Sequence, residues 1–211
     1  MYYLSFLFIS LSSILYIYRY IKDSTFKKIR FFILYLIFTV LVEIVVGFAL
    51  NEGVDNTNYI YNVYSLIEFN LLFMFYNEVS NDKITKRTII SSIALFNVTC
   101  FIWYWYHNFN FSNFNSFVIV LGAFLMAIIL FLSLREILLS DKIVNYKTDI
   151  IFWITTGLLL YYLGSIPLMG IYSFMEKGVA FFQIHNIQFV VTILLHSCVI
   201  IGLLWSWKKV E

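Results

Sequence analysis

Long apolar segments alternate with short polar connections along the whole chain. Runs such as Ile89–Phe96 and Phe117–Leu132 do not alternate between polar and apolar residues, which favours helices over barrel strands. A helix needs roughly 20 apolar residues to cross a membrane. The pattern therefore predicts an all-α polytopic membrane protein, in which residues 1–211 form a single seven-transmembrane-helix bundle. The predicted spans are Tyr2–Tyr18, Phe31–Leu50, Tyr59–Tyr76, Thr88–His107, Ser116–Leu134, Ile150–Tyr172 and Phe182–Trp207.

Composition points to the same class of protein. Of the 211 residues, 62% are apolar and 12% are charged, whereas soluble domains have about 45–50% apolar and about 25% charged residues. Such hydrophobicity excludes a disordered chain, and two cysteines exclude a disulfide-rich secreted scaffold. A net charge of +2 argues against a nucleic-acid partner. The lipid bilayer is therefore the expected partner.

The basic residues predict an orientation. Thirteen of the 14 Lys and Arg residues lie after the first, third or fifth predicted span or at the C-terminal end, and Lys177 is the exception. The positive-inside rule then places the N-terminus outside and the C-terminus inside. Abundant Ile, Asn, Phe and Lys are typical of an AT-rich bacterial genome. We therefore expect a multi-pass protein of a bacterial inner membrane.

Two of the 12 acidic residues, Glu43 and Glu68, fall inside predicted spans. At 1.5 Å per residue, both lie roughly 10–14 Å below the outer edge, on consecutive antiparallel helices. Ionisable groups at such depths are costly and often mark functional sites. The pair is expected to share a proton, to bind a cation or, with His196, to ligate a metal.

The last predicted span adds a third polar face. His185, Thr192 and His196 follow one another at i, i+7 and i+11, so they lie within about 40° on a helix. Because a His spacing of eleven fits no standard ligand motif, we assign no metal, cofactor or catalytic residue. Alternatively, buried Glu and His side chains only lock helix packing. The predicted ligand- or proton-binding residues are Glu43, Glu68, His185, Thr192, His196, Tyr61 and Tyr64.

One segment of the third predicted span resembles a known group of sequences. The stretch Tyr59–Phe69 reads YIYNVYSLIEF. It is similar to a segment in uncharacterised bacterial seven-helix integral membrane proteins, which carry Tyr-x-x-x-Glu-Phe in the third span and a His near the start of the last. The resemblance implies a seven-helix topology and no known activity. The corresponding positions here are Tyr64, Glu68, Phe69 and His185.

Three kinds of function fit these features. The first is a non-enzymatic protein with a polar intramembrane site, either a sensor or ligand-binding protein or a small transporter or pore subunit. The second is an accessory or effector subunit of a larger membrane complex, for example in anti-phage defence. The third is an intramembrane hydrolase using Glu43, Glu68 and His196. Expected partners besides lipid are a small molecule or ion, a second copy of the chain, or a membrane complex.

Overall fold

The computed structural model describes residues 2–54, 56–172 and 179–207, without the side chains of residues 2, 24–25, 141–143, 145, 172, 179–185 and 207. Over these ranges the chain forms seven α-helices and two short 3₁₀ helices. Each predicted span coincides with one α-helix, so the all-α prediction is confirmed. The α-helices are α1 (Tyr2–Lys22), α2 (Arg30–Asn51), α3 (Asn58–Val79), α4 (Lys83–Tyr106), α5 (Ser116–Leu138), α6 (Ile150–Tyr172) and α7 (Val179–Trp207), and the 3₁₀ helices are Ser24–Ile29 and Asp141–Thr148.

Most helices extend beyond the predicted apolar segments at one end or both, whereas α6 has the predicted bounds. Helix α4 begins at Lys83, five residues before the predicted start, because the Asp82 side chain accepts a hydrogen bond from the backbone N–H of Thr85 and caps the helix. Hydropathy marks only the part of a helix suited to lipid, whereas capping decides where the helix begins.

Six helices in the described part of the chain are long and apolar enough to cross a membrane, namely α1, α2, α4, α5, α6 and α7. They support a multi-pass membrane protein. Helix α3 has 22 residues and is therefore about 33 Å long. Its many Asn, Tyr, Ser and Glu side chains make it too polar to meet the same criterion.

Six of the helices form a closed ring. Going round, α1 packs on α2, α2 on α3, α3 on α5, α5 on α6, α6 on α7 and α7 on α1. Helix α4 lies outside this ring against α3 and α5. Because α3 and α6 are not neighbours in the ring, long side chains must join them across its interior.

Aromatic side chains of α3 pack against the neighbouring helices. Phe69 and Phe73 of α3 contact Phe96 of α4 at ring-centroid distances of 5.2 and 5.9 Å. The absence of a side chain at Gly122 lets the Phe69 ring lie directly against α5, where an added Cβ would overlap it. This close approach brings α3 against α5 at the residue that follows Glu68.

Asparagine side chains order one end of the bundle, here called the asparagine end (connections 52–57 and 107–115). Asn62 is fully buried. Its Nδ2 donates to the carbonyl oxygens of Phe111 at 2.8 Å and Asn113 at 2.7 Å, and its Oδ1 accepts from the backbone N–H of Asn115 at 3.0 Å. One α3 side chain therefore holds the α4–α5 connection in place.

The opposite end, here called the basic end, contains connections 23–29, 80–82 and 139–149. Glu136 of α5 accepts hydrogen bonds from Ser80 Oγ at 2.7 Å and from the backbone N–H of Asn81 at 2.8 Å. Arg30 pairs with Glu78 at 3.3 Å. The carboxylates of Glu78 and Glu136 therefore join helix ends, whereas Glu68 is buried in the middle of α3.

Candidate functional site

The carboxyl group of Glu68 lies inside the helix ring. Glu68 is ten residues from the start of α3, so it lies about 15 Å from the asparagine end. Its side chain is buried, and its Oε1 accepts a hydrogen bond from the Tyr162 hydroxyl of α6 at 2.9 Å. Among the described residues, this is the one hydrogen bond that the carboxyl makes, and the ion pairs there are Arg19–Asp23 and Arg30–Glu78. Glu68 therefore has a hydroxyl donor but no cationic partner among them.

The Tyr162 hydroxyl contacts this carboxyl, and three further tyrosines lie close enough to interact with it electrostatically. Tyr35, Tyr64, Tyr161 and Tyr162 each interact electrostatically with Glu68. They come from α2, α3 and α6, so the cluster depends on the packing of α6 against two helices that lie far from it in the sequence. We call these four tyrosines and Glu68 the tyrosine–carboxyl cluster.

Two further contacts attach polar side chains to the cluster. Tyr64 Oη lies 2.9 Å from Thr39 Oγ1, which itself donates to the backbone carbonyl of Tyr35 at 2.8 Å. On the other side, Gln188 of α7 donates from Nε2 to Tyr161 Oη at 3.1 Å. Gln188 also exchanges hydrogen bonds with Ser165 at 3.2 Å. Polar contacts thus continue from α2 through α3 and α6 to α7.

An apolar layer separates the cluster from the basic end. Leu72 lies one turn from Glu68 in that direction, Leu158 one turn from Tyr162, and Phe32 one turn from Tyr35. All three have no exposed surface. On the asparagine side of the layer, Gln188 and Tyr161 are only partly buried. The polar interior is therefore closed by apolar side chains on the side of the basic end.

Glu43 and Tyr61, two of the residues that the sequence indicated, are partly buried on α2 and α3. The Tyr161 hydroxyl interacts electrostatically with both Glu43 and Glu68. Both carboxyl groups therefore lie near one α6 side chain, while their direct pairing stays a prediction. Tyr64, a third predicted residue, belongs to the tyrosine–carboxyl cluster.

The predicted α7 residues face different neighbours. The Thr192 hydroxyl donates to the carbonyl of Gln188 within its own helix at 2.9 Å. His196 is buried, and its Nδ1 lies 2.8 Å from Ser12 Oγ of α1, so its described hydrogen bond joins α7 to α1 instead of to Glu68. The prediction for His185 lies outside the described side chains. Within the described part of the chain, no group of three His, Cys, Asp or Glu residues could hold a metal ion.

Sequence reasoning missed Tyr161 and Tyr162. Both lie in the middle of an apolar span, where a buried tyrosine hydroxyl needs a hydrogen-bond partner. A tyrosine pair at that depth was therefore a usable signal for a polar group on a facing helix. Its partner, Glu68, could not be identified from spacing because 94 residues separate it from Tyr162.

Comparison with known proteins adds no functional information. The chain matches no protein-family model, no curated protein and no solved structure. The function must therefore be argued from the geometry of the tyrosine–carboxyl cluster.

Proposed function

We propose that this chain is a seven-span protein of a bacterial inner membrane, with its N-terminus outside and its C-terminus inside, that acts as a sensor by binding a proton or a small cation at Glu68. The concentration of Lys and Arg at the basic end supports the orientation. The burial of Asn62, Ser65 and Glu68 supports a spanning role for α3 despite its polarity, because these polar groups avoid lipid.

The environment of the Glu68 carboxyl is the observation that carries the proposal. A buried carboxylate without a cationic partner costs several kcal/mol, so the group needs a proton or a counter-charge. Hydroxyl and carboxyl oxygens are suitable ligands for hard cations. The cluster supplies both kinds of oxygen and leaves the charge of Glu68 for the ligand to neutralise.

The apolar layer favours a sensor over a pore. Phe32, Leu72 and Leu158 are fully buried between the cluster and the basic end. Such a layer interrupts the water-filled path that an open pore requires, whereas a sensor needs only a site that equilibrates with one side. The partly buried Gln188 and Tyr161 provide polar groups on the asparagine side.

The test measures the thermal unfolding of purified protein in detergent over a series of pH values and of Na⁺ and K⁺ concentrations. The wild-type unfolding temperature should change as the Glu68 carboxyl gains or loses a proton or a cation. Glu68→Gln should remove the part of this response that Glu68 contributes, because the amide keeps the shape of the side chain but has neither a titratable group nor a negative charge. Tyr162→Phe should shift the response, because it removes the hydroxyl that donates to Glu68.

Glu52→Gln is the matched control, because Glu52 is an exposed acid next to the end of α2. It should leave the response intact. Ion flux measured in liposomes separates a sensor from a transporter, and we expect no flux above that of empty vesicles. A response that is equal in wild-type and Glu68→Gln protein would refute the proposed site.

A further inference from the structure

A pair of asparagines joins α3 to α4 on the outside of the helix bundle. Asn97 Nδ2 donates to Asn70 Oδ1 at 2.9 Å, and Asn70 Nδ2 donates to Asn97 Oδ1 at 3.2 Å. Asn97 is exposed and Asn70 is partly buried. The pair lies about 18 Å from the start of α3 and about 21 Å from the start of α4, which is within the hydrocarbon core for helices that span it.

The two asparagines occupy the same place in two matching outward faces. Each face follows the spacing i, i+4, i+7 and i+11, which keeps its residues on one side of a helix, and each has its asparagine at i+7. The other positions are exposed and apolar. We call both sets together the α3–α4 face, and it consists of Val63, Ile67, Asn70 and Met74 on α3 and of Ile90, Ala94, Asn97 and Phe101 on α4.

The outward position of these amides is costly in lipid. Polar side chains of membrane-spanning helices usually hydrogen-bond to neighbouring helices, because lipid tails offer them no partner. Among the described hydrogen bonds, the Asn70 and Asn97 amide oxygens each accept one, whereas an amide oxygen has two acceptor sites. A protein segment that covers the α3–α4 face and brings a donor to the same depth would therefore stabilise it.

A second copy of the chain supplies that donor. Two copies inserted in the same direction have Asn97 at the same depth, so a two-fold axis along the membrane normal brings the two amides together. Asn97 Nδ2 also donates to the carbonyl of Ile93 at 2.8 Å, and this carbonyl already accepts the backbone N–H of Asn97 within the helix. The amide N–H is therefore free to turn to the second copy without leaving an unpaired carbonyl.

The position of α4 favours the same contact. It lies outside the ring of six helices and packs on α3 and α5, so it projects from the bundle towards a neighbour. Ala94 is exposed and lies one turn from Asn97, where its small side chain lets two α4 backbones approach closely. Ile90 and Phe101 lie on either side along the helix and would cover the paired amides from lipid.

We propose that the α3–α4 face is the interface of a parallel homodimer, in which Asn97 hydrogen-bonds across the two-fold axis and Ala94 marks the closest approach of the two α4 helices. The inference depends on the membrane-spanning arrangement of α3 and α4. It does not depend on ligand binding at Glu68, so a failure of the proposed sensor function would leave it standing.

The test counts photobleaching steps of the fluorescently labelled full chain in liposomes over a series of protein-to-lipid ratios. The wild-type dimer fraction should rise with protein density. Ala94→Trp should weaken association on the order of tenfold or more, because the indole occupies the closest approach, while an exposed position leaves the fold of one copy intact. Leu11→Trp is the matched control and should associate as the wild type does. Leu11 is 42% exposed and lies eleven residues before Lys22, as Ala94 lies eleven residues after Lys83 at the same end of the bundle.

Two asparagine variants separate the hydrogen bond across the axis from the one within the chain. Asn97→Leu and Asn70→Leu both remove the Asn70–Asn97 pair. Only Asn97→Leu also removes the amide that faces the axis, so it should weaken association several-fold more than Asn70→Leu does. An equal effect of the two variants would contradict the role of Asn97.

Oxidative cross-linking in membranes locates the interface. In a chain with Cys100→Ala and Cys198→Ala, Ala94→Cys should form a disulfide-linked dimer and Leu11→Cys should not. A wild-type protein that stays monomeric at every density, or one that associates equally with and without Ala94→Trp, would overturn the proposal. Binding of a different membrane protein that Ala94→Trp abolishes, without self-association, would assign the face to another partner and also overturn it.

Discussion

The contact between Gly122 and Phe69 allows a direct test of the packing around Glu68. In Gly122→Ala the added methyl group would overlap the Phe69 ring, which is almost fully buried and contacts Tyr162 at 5.6 Å between ring centroids. Overpacking of a core costs typically 1–3 kcal/mol. Alanine recovers up to about 1 kcal/mol of helix propensity, so we expect a net destabilisation of up to about 2 kcal/mol.

Gly170→Ala supplies the matched control. Gly170 lies near the end of α6, and an added Cβ there meets no atom within 4 Å. The same chemical change should therefore leave stability unchanged or increase it by up to about 1 kcal/mol. The difference between the two variants isolates the steric cost of moving Phe69.

The assay is reversible denaturation of both variants in mixed detergent, followed by tryptophan fluorescence. Because Phe69 packs against Tyr162, Gly122→Ala should also alter the ligand response of Glu68, and Gly170→Ala should not. If both variants changed stability by the same amount, the close approach of α3 and α5 at Gly122 would be refuted.

Two further predictions concern the helix ends. Asn62→Ala removes three hydrogen bonds to the α4–α5 connection. At about 0.5–1.5 kcal/mol for each bond, the loss should destabilise the protein by roughly 2–4 kcal/mol. It should also expose the connection to protease, and both effects can be measured in detergent. The Thr85 backbone N–H and hydroxyl, which donate to Asp82, hold the pKa of that carboxyl below its ordinary value. The charged cap therefore stabilises α4 at neutral pH, and this contribution should disappear as the pH falls through the lowered pKa, which unfolding measured against pH detects.

Each of these predictions has its own control. Asn58→Ala removes one exposed hydrogen bond to the same connection, at 3.2 Å, so it should cost much less than Asn62→Ala. Similar losses for the two variants would contradict the role of Asn62. Asp82→Asn keeps a capping oxygen without an ionisable group. It should lose the part of the acid dependence that Asp82 contributes, and an unchanged curve would contradict the assignment to Asp82.

Much of the helical architecture was predictable from local sequence. A membrane-spanning helix satisfies its own backbone hydrogen bonds and needs a long apolar segment, so each span leaves a signal that requires no knowledge of its neighbours. The helix ends were less predictable, because the start of α4 depends on the Asp82 cap and not on hydropathy. Helix α3 was also predicted, although its buried polar residues lower its hydropathy.

The candidate site was also predictable from the sequence only in part. Glu68 could be found because an acidic residue within an apolar span is costly wherever its partner lies. Its hydrogen bond to Tyr162 could not, because that contact depends on how α3 and α6 are arranged around α5. The assignment of His196 to the same binding site as Glu68 stays a prediction, and its described hydrogen bond to Ser12 depends equally on the packing of α1 against α7.

The amino-acid sequence by itself determined that the chain consists of apolar helices, which end of each helix carries the basic residues, and that two acidic residues, Glu43 and Glu68, lie within them. These properties follow from local composition and from the length of a helix. Only the tertiary structure decided that six helices close into a ring, that Tyr162 donates a hydrogen bond to Glu68, and that a cavity opens between the ends of α4, α5 and α6. Such arrangements arise from contacts between residues far apart in the chain, whose pairing no periodicity or spacing encodes.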